Sequence, residues 1–597
     1  PPGGSRRSGR RRGGLRRGSP ARRVNIALLC IGLVLALVAA RLVQLQGVDG
    51  ASYRAEANRL RLKMASVPAV RGSITTADGS VLAMTVQTDT VTADPPQLKQ
   101  PQRAQVANLL AGPLHTTAAA LLALINHPTS PDYVVLARGV AAAVGSQITA
   151  MLSARHLTGI YLTPTYARVY PDGGLASNLV GFTTDAGGNG DLRGQAGIEQ
   201  SFNSLLAGRD GENEVETSTS GQPIPGATDR IKEMVPGGSI RLTILSSLQW
   251  AAQQACAQRV RQAHAVNCTV VVMQPSTGRI LALAQAPGYN PAHVTNLAST
   301  PDLPDSAVFP PGSTAKVITA AAALERGGQT AMSPYTVPQQ IVVDGFPFQD
   351  ADPHPTERLT LAGVLAHSSN VGMVQVVQHV PPQVQYRYFH AFGLGSPAGL
   401  PLPAESGGIL APPSKWWGDQ RYTLAFGQGV SVTAVQMASV YATIANGGVR
   451  VQPNIIAGTT GPDGRFAPAR APARHRVLRT STARELVRIL QQVPMLDATL
   501  AAEPWGEIPG YSIASKTGTA QEGRCQCHYG SSYIGMAPAT HPQVVVAVNV
   551  QNPRRGGYFG NMVAGPVFYH VMKFALASLK IPPDGGKRPD VRLTARR

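Results

Sequence analysis

Phe309-Pro310-Pro311-Gly312-Ser313-Thr314-Ala315-Lys316 places a serine and a lysine three residues apart at the head of an apolar run, Val317 to Leu324. Pro310 and Pro311 disfavour helix before this point, and Gly327-Gly328 offers a stop after it. The stretch therefore reads as a helix that begins at the serine. Positions i and i+3 share a helix face, so Ser313 and Lys316 are expected to touch. A serine hydroxyl is a weak nucleophile until a base removes its proton. A lysine amine is such a base once burial lowers its pKa from about 10.4. The positive end of the helix would favour negative charge developing beside the serine. An ordinary helix that happens to hold both residue types is the plainer reading, and only the rest of the chain separates the two.

Upstream, Val270 to Met273 and Ile280 to Ala284 flank Pro275-Ser276-Thr277-Gly278, which is hairpin chemistry; Leu242 to Ile244 reads as a strand and Leu248 to Gln262 as a helix. Downstream, Glu357 to Leu365 and Gly372 to Val380 read as helices around His367-Ser368-Ser369-Asn370. Val432 to Asn446 reads as a helix closed by Gly447-Gly448. Ser512 to Ser515 reads as a strand leading into Lys516-Thr517-Gly518-Thr519-Ala520. Tyr533 to Ala537 and Val544 to Val550 are further strands, and Met562 to Leu579 is a closing helix. Between Met64 and about Val235, short β-like runs (Val81 to Ala83, Thr90 to Thr92, Tyr133 to Leu136) alternate with Ala-rich helical runs (Ala118 to Ile125, Val140 to Leu152). Gly187-Gly188-Asn189-Gly190 is loop and lacks the strand-then-helix setting of a phosphate cradle.

The chain has 597 residues, long for one core, and its 43% hydrophobic and 14% charged composition is globular. Its net charge of +20 suggests nucleic acid until it is located. Nine of the positive charges are Arg6, Arg7, Arg10, Arg11, Arg12, Arg16, Arg17, Arg22 and Arg23, with no acid before Asp49 and no aromatic side chain among them to stack on bases. No nucleic-acid role is expected. Val24 to Ala40 follows, with only Asn25 strongly polar, and Leu42, Val43 and Leu45 extend it if Arg41 reaches for the interface. A membrane anchor with the arginines on the cytoplasmic side is the first reading, and a cleaved signal peptide using Arg22-Arg23 and Ala39-Ala40 is the alternative. Cys30 lies in the anchor. Cys256 and Cys268 read as buried thiols, and Cys525-Gln526-Cys527-His528 lacks a second cluster to complete a metal site, leaving a local or intermolecular disulfide open there.

Three short pieces thus stand in order: Ser313-Thr314-Ala315-Lys316, Ser368-Ser369-Asn370 and Lys516-Thr517-Gly518. Each alone is ordinary, the second as a cap or turn and the third as a strand end. Together they resemble the motif trio of penicillin-binding proteins and serine β-lactamases. The hairpin Val272-Met273-Gln274-Pro275-Ser276-Thr277-Gly278-Arg279-Ile280 and the segment Ala425-Phe426-Gly427-Gln428-Gly429 are similar to class B members of that family. Arg71-Gly72-Ser73-Ile74, Arg168-Val169-Tyr170-Pro171 and Gly194-Gln195-Ala196-Gly197-Ile198-Glu199 resemble the three motifs of their pedestal domain. The overall pattern is similar to cell-division transpeptidases of the FtsI type, actinobacterial-like. No glycosyltransferase domain stands before the pedestal, which is expected of class B rather than class A. The family's Asp-Arg is replaced by Thr76 and Ala77, and its acid after Leu-Thr-Ile by Leu245, which leaves a specialised paralogue open.

The resemblance implies an α+β chain: a basic cytoplasmic tail (1–23), a transmembrane helix (24–46), an elongated mixed α/β pedestal (47–235), a transpeptidase domain with an antiparallel sheet flanked by helices (236–580), and a disordered tail (581–597). It implies that Ser313 attacks, Lys316 takes the proton, Ser368 relays it to the departing amine, and Asn370 bonds the substrate amide and the lysine. Lys516, Thr517 and Thr519 would hold the terminal carboxylate, Gly518 would let the backbone approach the ligand, and the N–H groups of Ser313 and Thr519 would form the oxyanion hole. No cofactor or metal is implied. The implied substrate is a peptidoglycan stem peptide ending in D-Ala-D-Ala, with β-lactams as inhibitors. The implied partners are a glycosyltransferase of the FtsW/RodA type, division proteins and the cytoplasmic membrane. A D,D-carboxypeptidase or β-lactamase differs only in letting water accept the acyl group, and a non-catalytic, sensory paralogue that regulates a cell-wall glycosyltransferase is the reading from another class.

Overall fold

The computed structural model describes residues 20–128, 130, 133–185, 191–217, 223–296, 301–500, 504–523 and 527–596. The arginines before Arg22, the loop at Gly187 to Gly190, and Cys525 lie outside them. The chain divides into two compact units, one within Pro1–Val67 and Asp210–Glu233 and the other of Pro68–Arg209 and Met234–Arg597.

In the first unit the apolar run forms helix Pro20–Val43, continued by a wider π-type turn at Gln44–Val48, and every residue of the helix is exposed. Among the described residues, 20–48 is the one helix long and apolar enough to cross a membrane. Arg41 donates to Gln44 Oε1 (2.8 Å) one turn on. A second helix, Gly50–Arg61, follows that turn. A three-stranded antiparallel sheet follows, ordered Leu62–Val67, Gly211–Thr217, Pro223–Lys232.

In the second unit, the two short β-like runs near residues 81 and 92 are one strand, Val81–Ala93, because Ile160–Val169 pairs along it from Met84 to Ala93. Val140 and Ala141 end strand Val134–Ala141, and helix begins at Ala142. The three pedestal-like motifs meet in one buried cluster. Glu199 accepts from Arg71 Nε and Arg168 Nε, both at 2.7 Å, and Arg71 also reaches Asn203 Oδ1 (2.8 Å) and the Glu199 carbonyl (2.9 Å). One carboxylate faces two guanidiniums, and the Leu192, Glu199 and Gly72 carbonyls take further donors, while Arg168 Nη2 is buried without a partner. The departures from the family pattern also meet: Ala77 N donates to the Ile244 carbonyl, Leu245 N to that of Leu281, and Asp78, bonded by Thr76, accepts from Ser246 Oγ (2.7 Å) and N. These positions therefore build a network of their own.

The central sheet of this unit is antiparallel, ordered Ile280–Ala286, Asn267–Met273, Val544–Gln551, Tyr529–Ala537, Ala514–Gln521. Alternate residues face opposite ways: Val270, Val272, Val546 and Val548 pack with helices Ser246–Ala263 and Gly565–Ser578, whereas Val271, Met273, Val545 and Ala547 pack with helices Lys316–Arg326 and Ala434–Ala445. Burial on both faces is why these strands read as continuous apolar runs. The α+β class and the helix-flanked antiparallel sheet agree with expectation.

Four expectations are corrected. Cys256 and Cys268 are not thiols; they are fully buried on facing elements with Cα atoms 5.4 Å apart and form a disulfide. Glu357 to Thr360 is strand, paired with Pro334–Val337, and helix starts only at Leu361, where the Thr360 hydroxyl caps Gly363 N (3.0 Å). The closing helix is broken into Gly560–Val563 and Gly565–Ser578, with Pro566 at the restart. Residues 581–596 are not disordered. Asp584 accepts from Ser512 N (2.8 Å) and Thr540 Oγ1 (2.7 Å), the Leu593 carbonyl accepts from Thr360 N (2.8 Å), and Ile581, Val591 and Leu593 pack against apolar side chains.

Candidate active site

Gly312–Ala315 forms a 3-10 turn that runs directly into helix Lys316–Arg326. The turn is held from several sides. Phe309 exchanges two backbone bonds with Val432, Gly312 N donates to the Gly427 carbonyl (3.0 Å), and Tyr441 OH donates to the Thr314 carbonyl (3.0 Å). Gly312 and Gly427 both have positive φ, 53° and 81°, and a Cβ at Gly427 would collide with the Gly312 backbone. Beyond the turn, the edge strand Ala514–Gln521 carries the lysine-threonine-glycine piece within it, not after it. A Cβ at Gly518 would lie 2.9 Å from the Pro311 carbonyl oxygen and from Thr314 Cγ2. The glycine thus serves the approach of the strand to the serine turn, where a ligand contact was expected.

Ser313 is half-buried, and its N–H lies in the first turn, where no i−3 carbonyl reaches it. Lys316 is fully buried. Its Nζ donates to the Ser368 carbonyl oxygen and to Asn370 Oδ1 (2.7 Å), and lies 3.4 Å from Ser368 Oγ. Burial pushes the lysine pKa well below its ordinary value, the neighbouring Lys516 cation pushes it further, and Asp350 opposes both. A neutral amine has two N–H groups and one lone pair. In the neutral form that burial favours, the Ser368 carbonyl and Asn370 take the two donors and the lone pair is left for a hydroxyl. No hydrogen bond within 3.5 Å joins Ser313 Oγ to Lys316, whose amine is instead engaged by Ser368 and Asn370.

Ser368 has φ 61°, a left-handed conformation that turns its carbonyl toward the lysine. Ser369, the middle residue of its motif, caps helix Asn370–Gln378 through Gly372 N (2.7 Å). Along the edge strand Thr517 and Thr519 are half-open, while Lys516 and Gly518 are buried on the other face. The two threonines therefore lie on the more open face of the strand. Lys516 lies behind them on the side of the serine turn, and its Nζ donates to the Thr517 carbonyl (3.1 Å). Thr519 Oγ1 accepts from Gly560 N (3.1 Å), which leaves its hydroxyl proton to donate elsewhere. Lys316, Ser368 and Asn370 are thus in direct contact beside the Ser313 turn, against which the strand from Lys516 to Thr519 packs. The site also includes Asp350, which the motifs do not contain. A single acid between a hairpin and a helix carries no spacing signal, and only its buried contacts with Ser369, Asn370 and Val371 mark it.

Among the described residues no cluster of three His, Cys, Asp or Glu side chains is placed to ligate a metal, and Cys527 is disulfide-bonded.

The family described as Penicillin binding protein transpeptidase domain matches residues 268–573, and the Penicillin-binding Protein dimerisation domain matches residues 66–242. The chain is 32% identical over 606 residues to penicillin-binding protein PbpB of Mycolicibacterium smegmatis, covering 95% of this chain and 91% of that one. It is 31% identical over 570 residues to the peptidoglycan D,D-transpeptidase FtsI of Escherichia coli, covering 93% and 91%. Among solved structures, it resembles penicillin-binding protein 3 of Mycobacterium tuberculosis complexed with aztreonam, with a TM-score of 0.68, 28% identity, and coverage of 89% of this chain and all of that one.

Proposed function

The chain belongs to the penicillin-binding proteins, as a class B member of the FtsI and PbpB type and a peptidoglycan D,D-transpeptidase, and from that premise we propose that Ser313 is its acylated nucleophile. The observation that carries this reading is the buried Lys316, whose two donors are taken by Ser368 and Asn370 and whose lone pair is left for a serine hydroxyl. Ser313 Oγ attacks the carbonyl carbon of the penultimate D-Ala while Lys316 takes its proton. The N–H groups of Ser313 and Thr519 hold the oxyanion, and one such donor typically contributes about 3 kcal/mol. As the tetrahedral adduct collapses, the proton passes from Lys316 through Ser368 to the leaving amine, and D-Ala departs. An amine of a neighbouring stem then attacks the ester and frees Ser313. Asn370 holds the stem amide. Thr517 and Thr519 donate to the terminal carboxylate, with the Lys516 charge behind them. A β-lactam follows the first half only, because its leaving amine stays tethered.

The domain division at residues 23, 46, 235 and 580 is part of this proposal, with the last segment now an ordered strap. Helix 20–48 anchors the chain in the cytoplasmic membrane with its N-terminus inside, and the Cys256–Cys268 disulfide supports an oxidising, extracytoplasmic setting for the rest. The partners are an FtsW/RodA-type glycosyltransferase and division proteins, and the duty is septal. Labelling the full chain in membranes with a fluorescent penicillin tests the nucleophile: wild type labels and Ser313→Ala does not. Labelling that survives Ser313→Ala overturns the assignment. D-Ala release from a lipid-linked substrate separates catalysis from sensing, and a fluorescent fusion on the side wall instead of the septum overturns the septal duty.

A further inference from the structure

Asp350 follows strand Phe346–Gln349 and belongs to none of the three motifs, yet its buried carboxylate carries four donors. Oδ1 accepts from the backbone N–H groups of Asn370 and Val371 (3.0 Å for the second), and Oδ2 accepts from Ser369 Oγ (2.7 Å) and faces His354 Nε2 (3.1 Å). Three consecutive residues at the start of helix Asn370–Gln378 therefore hang on one side chain. They are the residues that aim the Ser368 carbonyl and Asn370 Oδ1 at Lys316. The preceding Ser368 sits at φ 61°, a conformation an L-residue holds only when its surroundings impose it. The hairpin grips Asn370 a second time, through Asn370 Nδ2 to the Gln349 carbonyl (3.2 Å). Asp350 is itself fixed by Gln339, through backbone N to carbonyl (3.1 Å) and Gln339 Nε2 to the Asp350 carbonyl (3.2 Å).

His354 completes the arrangement. Its Nδ1 faces the Pro355 carbonyl (2.7 Å) and its Nε2 faces the Asp350 carboxylate, both acceptors, a setting that favours the doubly protonated, cationic ring. Partial burial works against that charge, and the Pro355 carbonyl and Asp350 outweigh it and raise the histidine pKa, with Glu357 adding to the effect.

Resting on the acyl-transfer reading above, we propose that Asp350 is the positioning residue of this site, holding Ser368 and Asn370 onto Lys316 with His354 as its counter-ion. The charged groups that act on Lys316 are then Lys516 from the edge strand and Asp350 from the hairpin, and those that act on His354 are Asp350 and Glu357. Asp350 holds protons on the lysine. Removing its charge lets Lys316 lose its proton at lower pH.

The test measures the second-order rate of penicillin acylation against pH for the purified full chain in detergent. Asp350→Ala should lower the rate on the order of 100-fold, the scale of a displaced catalytic group. Asp350→Asn, which keeps the shape and guards against an Ala variant that fails to fold, should lower the rate less and move the acid limb of the profile to lower pH. His354→Gln, which removes the counter-ion of Asp350, should lower the rate less than Asp350→Ala. A slower Asp350→Asn with an unmoved limb reduces the residue to a structural role and overturns the proposal. Wild-type rates and profiles in all three variants overturn it as well. In either case loss of labelling in Ser313→Ala leaves the nucleophile standing, whereas labelling that survives Ser313→Ala removes the reading beneath both.

Discussion

Lys316 shows at the scale of one residue how this site trades stability for reactivity. A lysine whose pKa is lowered on folding binds fewer protons folded than unfolded at neutral pH, so it costs stability there, and the cost grows as pH falls toward the lowered value. Replacing it by an apolar chain of similar length removes that cost along with the base. Lys316→Met should raise the melting temperature at pH 7 by a few degrees and lower penicillin acylation about 10²–10⁴-fold, read by thermal melts and by labelling rates on the same sample. A variant that melts lower than wild type would mean that the amine is stabilising and charged. Ser313, Lys316, Ser368, Asn370 and Lys516 to Thr519 were legible in the sequence because each contributes a side chain whose chemistry is its identity. The Ser368 carbonyl was not, because every residue has one and only a left-handed φ aims this one at Lys316. Asp350 was silent for a related reason: its partners are the N–H groups of Asn370 and Val371, and backbone groups leave no trace in composition.

At the scale of elements, the serine turn, the edge strand and the segment around Gly427 meet with almost no side chain between them. Gly427→Ala would need a left-handed alanine and would force its Cβ into the Gly312 backbone. A loss of about 2–4 kcal/mol is expected, together with loss of penicillin labelling, because the backbone that would move is the one that presents Ser313. Thermal melts alongside labelling check this, and an alanine variant that labels at the wild-type rate would mean that the turn has slack. The Gly-Gln-Gly segment was recognised in the sequence, but its reason, a backbone crossing between residues more than a hundred positions apart, is tertiary. The same limit explains Glu357 to Thr360. Nothing local forbids helix there, and strand wins because Pro334–Val337 pairs on one side and the Leu593 carbonyl on the other. Where one element buries both faces, as at Val544 to Gln551, the apolar run alone was enough.

Across the molecule as a whole, the second unit carries a C-terminal strap docked far from its place in the chain and a pair of buried acids that no pattern announces. The strap's proline, glycine and arginine content reads as a disordered tail, while its order comes from backbone carbonyls docking on Thr360 and from a few buried apolar side chains such as Ile581. The acids are Asp302 and Asp305. Asp302 Oδ1 accepts from Asn178 Nδ2 (2.9 Å), while Asp302 Oδ2 and both oxygens of Asp305 are buried without a donor. Burial raises both carboxyls above the ordinary range, and Asp305 is raised further by Asp302 and then by Glu405. The folded chain therefore keeps a proton on the pair where the unfolded chain has none. Stability is then fully present in acid and falls as pH rises past the ordinary carboxyl range, by about 1.4 kcal/mol per pH unit for one retained proton. Asp305→Asn supplies a permanent donor toward Asp302 and removes the charge. It should raise the melting temperature at pH 8, leave it nearly unchanged at pH 4, and flatten the slope between them. Parallel wild-type and variant curves across that range would show that both acids ionise in the folded chain and that another group accommodates their charge.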